Sequence, residues 1–264
     1  MPIAYIRIPL FVPRWLFPAA RNFYRKLGQP EKRPGPTTTG DRDVEYSFIL
    51  GNLPPGPGKA IDFGCGPAHL SLEAAQRGYE VTALDMLPYE GEIYWRHPAV
   101  KFAIGDLLTM DLPEKHFDVV MNCSAVEHVG LAGRYAVKNQ RDSGDLEAMG
   151  AMRRLLKPGG LMLLTVPCGH DTVFAPYFRV YGEQRLPQLL KGFEVEKQEF
   201  WKKDAADRWG LCERQQALAC VPASDPLYPW YNSYALGCYV LRRPVVDPEG
   251  GKNGRAGLSE EKRE

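Results

Sequence analysis

Five short, largely apolar runs constrain this chain more than any other feature: "AIDF" at 60–63, "YEVTALD" at 79–85, "VKFAIGD" at 100–106, "FDVVMNCSA" at 117–125 and "LMLLTVP" at 161–167. Helical stretches lie between them. "AHLSLEAAQRG" is closed by Gly78, and "SGDLEAMGAMRRLLKPGG" puts Leu146, Met149, Met152, Leu155 and Leu156 on one face. Asp142 or Ser143 starts that second helix, and Lys157, Pro158, Gly159 and Gly160 stop it. Strands without polar alternation are buried on both faces, which requires helices above and below a parallel sheet. The fold class is therefore α/β. A helix in "DVEYSFIL" leads in through the turn "GNLPPGPGK", whose prolines cannot continue it. Beyond Pro167 the alternation loosens. "EQRLPQLLKG" reads as helix, "FEVEKQEFW" and "ALGCYVLRR" as strands, and 202–234 as an irregular insert rich in Trp, Tyr and Pro.

With 264 residues, 44% of them hydrophobic, the chain can bury a large core, and wholesale disorder is excluded. Lys plus Arg number 33 against 32 Asp plus Glu, a formal charge of +1 that disfavours a nucleic-acid partner. The six cysteines form no C-x-x-C pair and no Cys/His cluster. That argues against a metal site and a disulfide framework, and for a reducing, cytoplasmic location. No run approaches the roughly 18 apolar residues that a spanning helix needs. Residues 1–40 read as an N-terminal arm and linker ending in "EKRPGPTTTG", 41–245 as the folded domain, and 246–264 as a polar, disordered tail. The arm mixes aromatics with Arg7, Arg14, Arg21, Arg25 and Lys26, and has no acid in its first 30 residues. It suits packing against the domain, or weak contact with a membrane surface, although Pro9, Pro13 and Pro18 spoil a long amphipathic helix. It makes a poor signal peptide, lacking the apolar centre and the small-residue cleavage site.

Ligands of open parallel sheets sit beyond the carboxyl ends of the strands, so the turn after the first strand is the first place to look. In "DFGCGPAH", Gly64 and Gly66 let the backbone bend sharply and a ligand approach closely, and the following helix aims its N-terminal amides at the same spot. The pyrophosphate fingerprint G-x-G-x-x-G/A needs a third small residue, and His69 stands in that place. A dinucleotide is thereby disfavoured. No G-K-S/T follows, so a phosphate-binding P-loop is excluded. Asp85 ends the second strand 19 residues after Gly66, where a carboxylate can accept both hydroxyls of an adenosine ribose.

"AIDFGCGPAHLSLEAAQRGYEVTALD", "VKFAIGDLLTMDLPEKHFDVVMNCSAVEHVG" and "LEAMGAMRRLLKPGGLMLLTVP" together resemble a class I S-adenosylmethionine-dependent methyltransferase over roughly residues 41–245. The resemblance implies a Rossmann-like, doubly wound sheet of seven strands, mostly parallel with an antiparallel last strand, and S-adenosylmethionine as cofactor. It implies that Asp62 lies near the cofactor's amino-acid end, wrapped by the backbone of Gly64, Cys65 and Gly66. Asp85 would take the ribose hydroxyls and Met86 flank the adenine, whose amino group Asp106 would accept beside Leu107. Asn122 and Cys123 would face the methionine part. Pro67 and His69 depart from the family's commonest form, in which glycine is frequent, and stiffen the turn.

Methyl transfer from a sulfonium is an in-line displacement, governed by alignment in a dry site and helped by a base within hydrogen-bond reach of the acceptor. Candidate catalytic residues are Glu127 and His128 in "AVEHVG" and His170, beside Asp171, in "PCGHD". Each has a structural alternative: His128 capping a turn or touching the cofactor, Glu127 pairing with Arg134, His170 and Asp171 shaping a loop. Cys123 is a weaker candidate as nucleophile than as core. The expected acceptor is a small molecule or a glycan, methylated on oxygen. Its pocket is expected from 202–234, from 168–182 and from the arm, with Trp201, Trp209, Tyr228, Trp230, Tyr231 and Tyr234 as stacking or lid residues. Two other readings stay open: an NAD-type oxidoreductase on the same sheet, and a catalytically inactive cofactor-binding scaffold.

Overall fold

A computed structural model describes residues 40–89, 93–133, 135, 137–224 and 232–246. The chain divides into units 1–35 and 36–264, and every described residue belongs to the second. The arm, apart from Gly40, and the tail, apart from Val246, lie outside the described residues, as do Arg134, Tyr228, Trp230 and Tyr231.

The first half alternates as its pattern demands. Helix α1 (Asp41–Asn52) carries Asp41 and Asp43 in its first turn, where the helix dipole favours anions. It ends before Leu53 and two prolines. Strand β1 (Gly58–Phe63), helix α2 (His69–Gln76), β2 (Tyr79–Asp85), β3 (Val100–Ile104) and β4 (Phe117–Cys123) follow. A single 3-10 turn at Val126–His128 leaves β4, and α3 (Gly144–Leu155) leads into the long β5 (Leu156–Cys168). A hairpin of β6 (Thr172–Phe174) and β7 (Phe178–Val180) precedes the short α4 (Arg185–Leu189). Then come β8 (Glu194–Lys203), β9 (Trp209–Cys212), α5 (Arg214–Leu218), the small pair β10 (Ala223–Ser224) and β11 (Asn232–Ser233), and β12 (Ala235–Arg242).

The main sheet runs in the order β3-β2-β1-β4-β5-β12-β8-β9. Strands β1 to β5 are mutually parallel, and β12 slots between β5 and β8 antiparallel to both. Among the described residues the sheet has eight strands rather than the expected seven. The extra one, β9, comes from the insert expected to be irregular: Trp209 pairs with Lys203 and Cys212 with Phe200. The Lys203 ammonium lies 5.3 Å from the Trp209 ring centroid and binds Asp207 at 2.8 Å, which ties the turn between the two strands.

Both faces of the central strands β1, β4, β5 and β12 are buried, because successive side chains point to opposite sides, whereas β3, β8 and β9 at the sheet's margins are largely exposed, so the run at 100–106 is not buried on both faces as expected. Ile61, Val120, Met162 and Leu164 pack on α3 through Met149 and Met152. Ala60, Val119, Met121 and Leu163 pack on α1 and α2 through Phe48, Ile49, Leu70 and Ala74. Such side chains each contribute ~1.5–3 kcal/mol when fully buried. The expected helix stop at residues 157–160 takes another form. Leu156 pairs with Phe117 and Leu161 with Val119, so Lys157, Pro158, Gly159 and Gly160 bulge opposite Asp118 alone, inside β5. Gly159 adopts φ +78°, and the Lys157 ammonium holds Asp118 at 2.7 Å.

Candidate active site

The glycine turn is built as its sequence suggests and is held by its acidic partner. Gly64 and Gly66 have φ of +69° and +49°, and a Cβ at Gly64 would collide with that of Ala125 beyond β4. The amides of Gly64 and Cys65 donate to the Leu84 carbonyl at 2.9 and 3.2 Å. Asp85 Oδ2 accepts from the Gly66 amide at 3.0 Å, and Oδ1 accepts from Leu87. The tip of β2 therefore clamps the turn after β1. Ala68, fully buried at φ +59°, stands just before α2 and supplies the close packing expected of the third small residue, while His69 points to solvent. Counting from the fingerprint missed this by one position, because the left-handed Ala68 tightens the entry to the helix.

A cavity of about 500 Å³ opens beyond the carboxyl ends of β1, β2 and β4. Of the residues singled out in the sequence, Asp62, Gly64, Cys65, Gly66, Asp85, Met86, Asp106, Leu107, Cys123 and His128 line it. Asp62 is 2% exposed and accepts from Ser71 Oγ at 2.6 Å. Burial pushes its carboxyl up to about 6 against that hydrogen bond, and Asp85 adds to the rise. No cationic side chain stands beside it among the described residues. Asp106 Oδ1 accepts from the Leu108 amide at 2.9 Å, which starts the turn carrying Leu107 to the cavity. Burial pushes the Cys123 thiol well up, against the Arg42 guanidinium 3.4 Å from its sulfur, which disfavours the thiolate a nucleophile needs.

Three expected site residues do not line the cavity. Asn122 is fully buried, its amide turned to Met152 Sδ at 3.6 Å and its carbonyl accepting from Ala125 and Val126. It shapes the exit from β4 instead of facing a ligand. Glu127 points inward from the 3-10 turn, its Oε2 without a hydrogen-bond partner, and burial pushes its carboxyl up to about 8. His170 is exposed, its amide bonded to the Cys220 carbonyl. Its neighbour Asp171 accepts from Gly182, Gln184 and Arg185, shaping the loop before α4.

His128 is fixed by contact with another segment. Its Nδ1 lies 2.5 Å from the Tyr177 carbonyl oxygen, which can only accept, so Nδ1 carries the proton and Nε2 is the basic nitrogen. Nε2 is 3.8 Å from Glu127 Oε1, and Tyr135 packs on the ring with centroids 5.0 Å apart. Buried Arg179 anchors the surrounding segment, donating to the carbonyls of Glu127, Val129, Arg141 and Asp142.

The sequence reading missed what α1 brings. Arg42 and Tyr46 line the cavity, and Arg42 pairs with the fully buried Glu45, which also takes hydrogen bonds from Ser124 and from Thr165 at 2.9 Å. Glu45 shares the apolar stripe of Phe48 and Ile49, and a carboxylate in such a stripe was the available signal. Val129, Gly130, Tyr135, Val137, Lys138 and Arg141 line the remaining wall. The expected aromatic pocket does not form there among the described residues. Trp201 and Trp209 line a separate groove with Val44 and Phe48, because the β8–β9 pairing carries them to the far side of α1. Tyr234 is half-buried against Phe178, ring centroids 5.7 Å apart.

The sheet order and the acidic strand ends are those expected of a class I S-adenosylmethionine-dependent methyltransferase, and the chain is similar to named methyltransferases in sequence and in fold. It is 28% identical over 163 residues to the ubiquinone biosynthesis O-methyltransferase of Alkalilimnicola ehrlichii, covering 57% of this chain and 58% of that protein. It is 25% identical over 200 residues to the enzyme of the same name from Xanthomonas axonopodis pv. citri, covering 73% and 76%. The chain thus spans little more than half of the first relative's length. Its fold is similar to that of Burkholderia thailandensis 1,6-didemethyltoxoflavin-N1-methyltransferase with bound 1,6-didemethyltoxoflavin and S-adenosylhomocysteine, with TM-score 0.50, 15% identity, and 90% and 93% of the two chains covered. Residues 108–215 match a family model described as a Caenorhabditis protein of unknown function, DUF268. The residues present fit S-adenosylmethionine: a buried carboxylate with no cation beside it among the described residues, and a glycine turn with no room for a Cβ at Gly64.

Proposed function

We propose that this chain transfers the methyl group of S-adenosylmethionine to an oxygen of a small-molecule or glycan acceptor. One observation carries the reading: Asp62, Asp85 and Asp106 line the same cavity as the basic nitrogen-bearing ring of His128. When bound, the cofactor supplies an electrophilic methyl on a sulfonium. Asp62 holds its ammonium group, and Gly64, Cys65 and Gly66 wrap its amino-acid end. Asp85 accepts from the ribose with the lone pairs left by Gly66 and Leu87, since each carboxylate oxygen has two. Met86 and Leu107 flank the adenine, Asp106 accepts from its amino group, and Cys123 stands by the methionine part. His128 Nε2 takes the acceptor hydroxyl's proton. Glu127 and Asn122 support the turn that carries His128, and His170 has no part in the reaction. The O-methyltransferase names of the curated relatives support oxygen as the target.

No helix among the described residues is long and apolar enough to cross a membrane. The six cysteines are free thiols, which supports a cytoplasmic location. Titration with S-adenosylhomocysteine tests the reading: it should raise the melting temperature of the full chain, Asp85→Ala should abolish the rise, and NAD should give none. No shift at millimolar S-adenosylhomocysteine, or a shift with NAD alone, would refute it.

A further inference from the structure

We infer that the acceptor carries an anionic group, a carboxylate or a phosphate, recognised by Lys138 and Arg141 at the cavity mouth together with Arg42 from α1. The inference rests on the methyl-transfer reading and concerns the half of the cavity left to the acceptor.

Charge is segregated along the sheet. Asp62 and Asp85 come from the ends of β1 and β2, and Asp106 follows β3. Because the strand order is β3-β2-β1-β4-β5, these carboxylates occupy one side of the cavity. The other side is cationic: Arg42 reaches it from α1, and Lys138 and Arg141 from the segment after β4. Residues 129–141, "VGLAGRYAVKNQR", contain Arg134, Lys138 and Arg141 and no Asp or Glu. In a chain of formal charge +1, that bias is local.

The cations differ in how far they are already satisfied. Arg42 is paired with buried Glu45. Arg141 meets Glu147 at 3.3 Å, both half-exposed, a contact worth little in water. No carboxylate among the described residues pairs with Lys138, although it lines the cavity. Arg179 holds both ends of the segment, through the Val129 carbonyl at 2.6 Å and the Arg141 carbonyl at 3.1 Å, so the cations are presented from an anchored frame. An acceptor with its hydroxyl at His128 extends past Tyr135, which leans against that ring at a tilt of 56°, toward Lys138 and Arg141. A cationic rim of this kind steers an oxyanion in and fixes which end enters first.

The test uses the full chain loaded with S-adenosylhomocysteine, titrated with phenyl phosphate, benzoate and neutral benzyl alcohol and followed by calorimetry. At low salt at least one anion should bind about fivefold or more tighter than benzyl alcohol, as expected for exposed charges. About 0.5 M salt should erase most of that preference. Whether phenyl phosphate or benzoate wins distinguishes phosphate from carboxylate. The double variant Lys138→Gln/Arg141→Gln should lose the preference with S-adenosylhomocysteine affinity unchanged, and Lys138→Arg/Arg141→Lys should keep it. Anions binding no better than benzyl alcohol to the wild-type chain would overturn the inference, as would a preference that survives in the double glutamine variant. Should S-adenosylhomocysteine itself fail to bind, the methyl-transfer reading falls separately. The same titration on the ligand-free chain then decides the anion site by the same two criteria.

Discussion

Asp62→Asn separates stability from cofactor binding in opposite directions. In the ligand-free chain Asp62 is buried, with Ser71 Oγ as donor and no cation beside it among the described residues, and its carboxyl is pushed from 3.8 up to about 6. A raised folded pKa gives stability that is fully present below the unfolded value and lost as pH rises through the folded one. Roughly two pH units correspond to about 3 kcal/mol lost between about pH 4 and pH 6.5. The variant keeps an oxygen to accept from Ser71 and carries no charge, so it escapes that loss. At neutral pH its ligand-free form should melt higher, by at most ~6–12 °C for a domain of this size. Its affinity for S-adenosylhomocysteine should fall at least ~30-fold, because the ligand's ammonium loses its charged partner. Wild-type affinity should drop about tenfold from pH 7 to pH 5, as Asp62 protonates, and the variant's should not. Melting curves across this range and calorimetric titrations measure both effects. A variant that melts lower at neutral pH, or binds S-adenosylhomocysteine as wild type does, refutes the assignment of Asp62.

The remaining predictions concern the base, the anchor and the turn. His128→Asn should lower kcat by ~10²–10⁴ with S-adenosylhomocysteine affinity unchanged, read by transfer of a labelled methyl group to a metabolite extract. Arg179→Met leaves four carbonyls without their buried donor, so it should cost at least ~3 kcal/mol and expose residues 129–143 to protease. Gly64→Ala forces a Cβ into Ala125 at φ +69°, and should cost ~1–3 kcal/mol and abolish the S-adenosylhomocysteine thermal shift.

Much of the cofactor side of the cavity was legible because its parts are local. Gly64, Gly66 and Asp85 lie within one strand-turn-helix-strand unit, where the apolar runs and the glycines leave little freedom. Glu127 and His128 show where such reading stops. They are adjacent in "AVEHVG", yet the 3-10 turn sends one carboxylate inward and one imidazole to the cavity, a difference of direction that spacing does not encode. The tryptophans mislead for a related reason. Their density in the insert suggested an acceptor pocket, but the pairing of β8 with β9 carries Trp201 and Trp209 to a groove on the far side of α1.

By itself the sequence determined the α/β class, the five parallel strands and the acidic tips of the first three, since buried strands and glycine turns depend on side chains a few residues apart. Tertiary structure alone decided that α1 brings Arg42, Glu45 and Tyr46 to the end of β4, and that Tyr177, 49 residues away, sets the tautomer of His128. It also decided that Lys138 and Arg141 face the carboxylates across one cavity. Those juxtapositions follow from how amphipathic faces pack over the sheet, a long-range outcome that local periodicity does not carry.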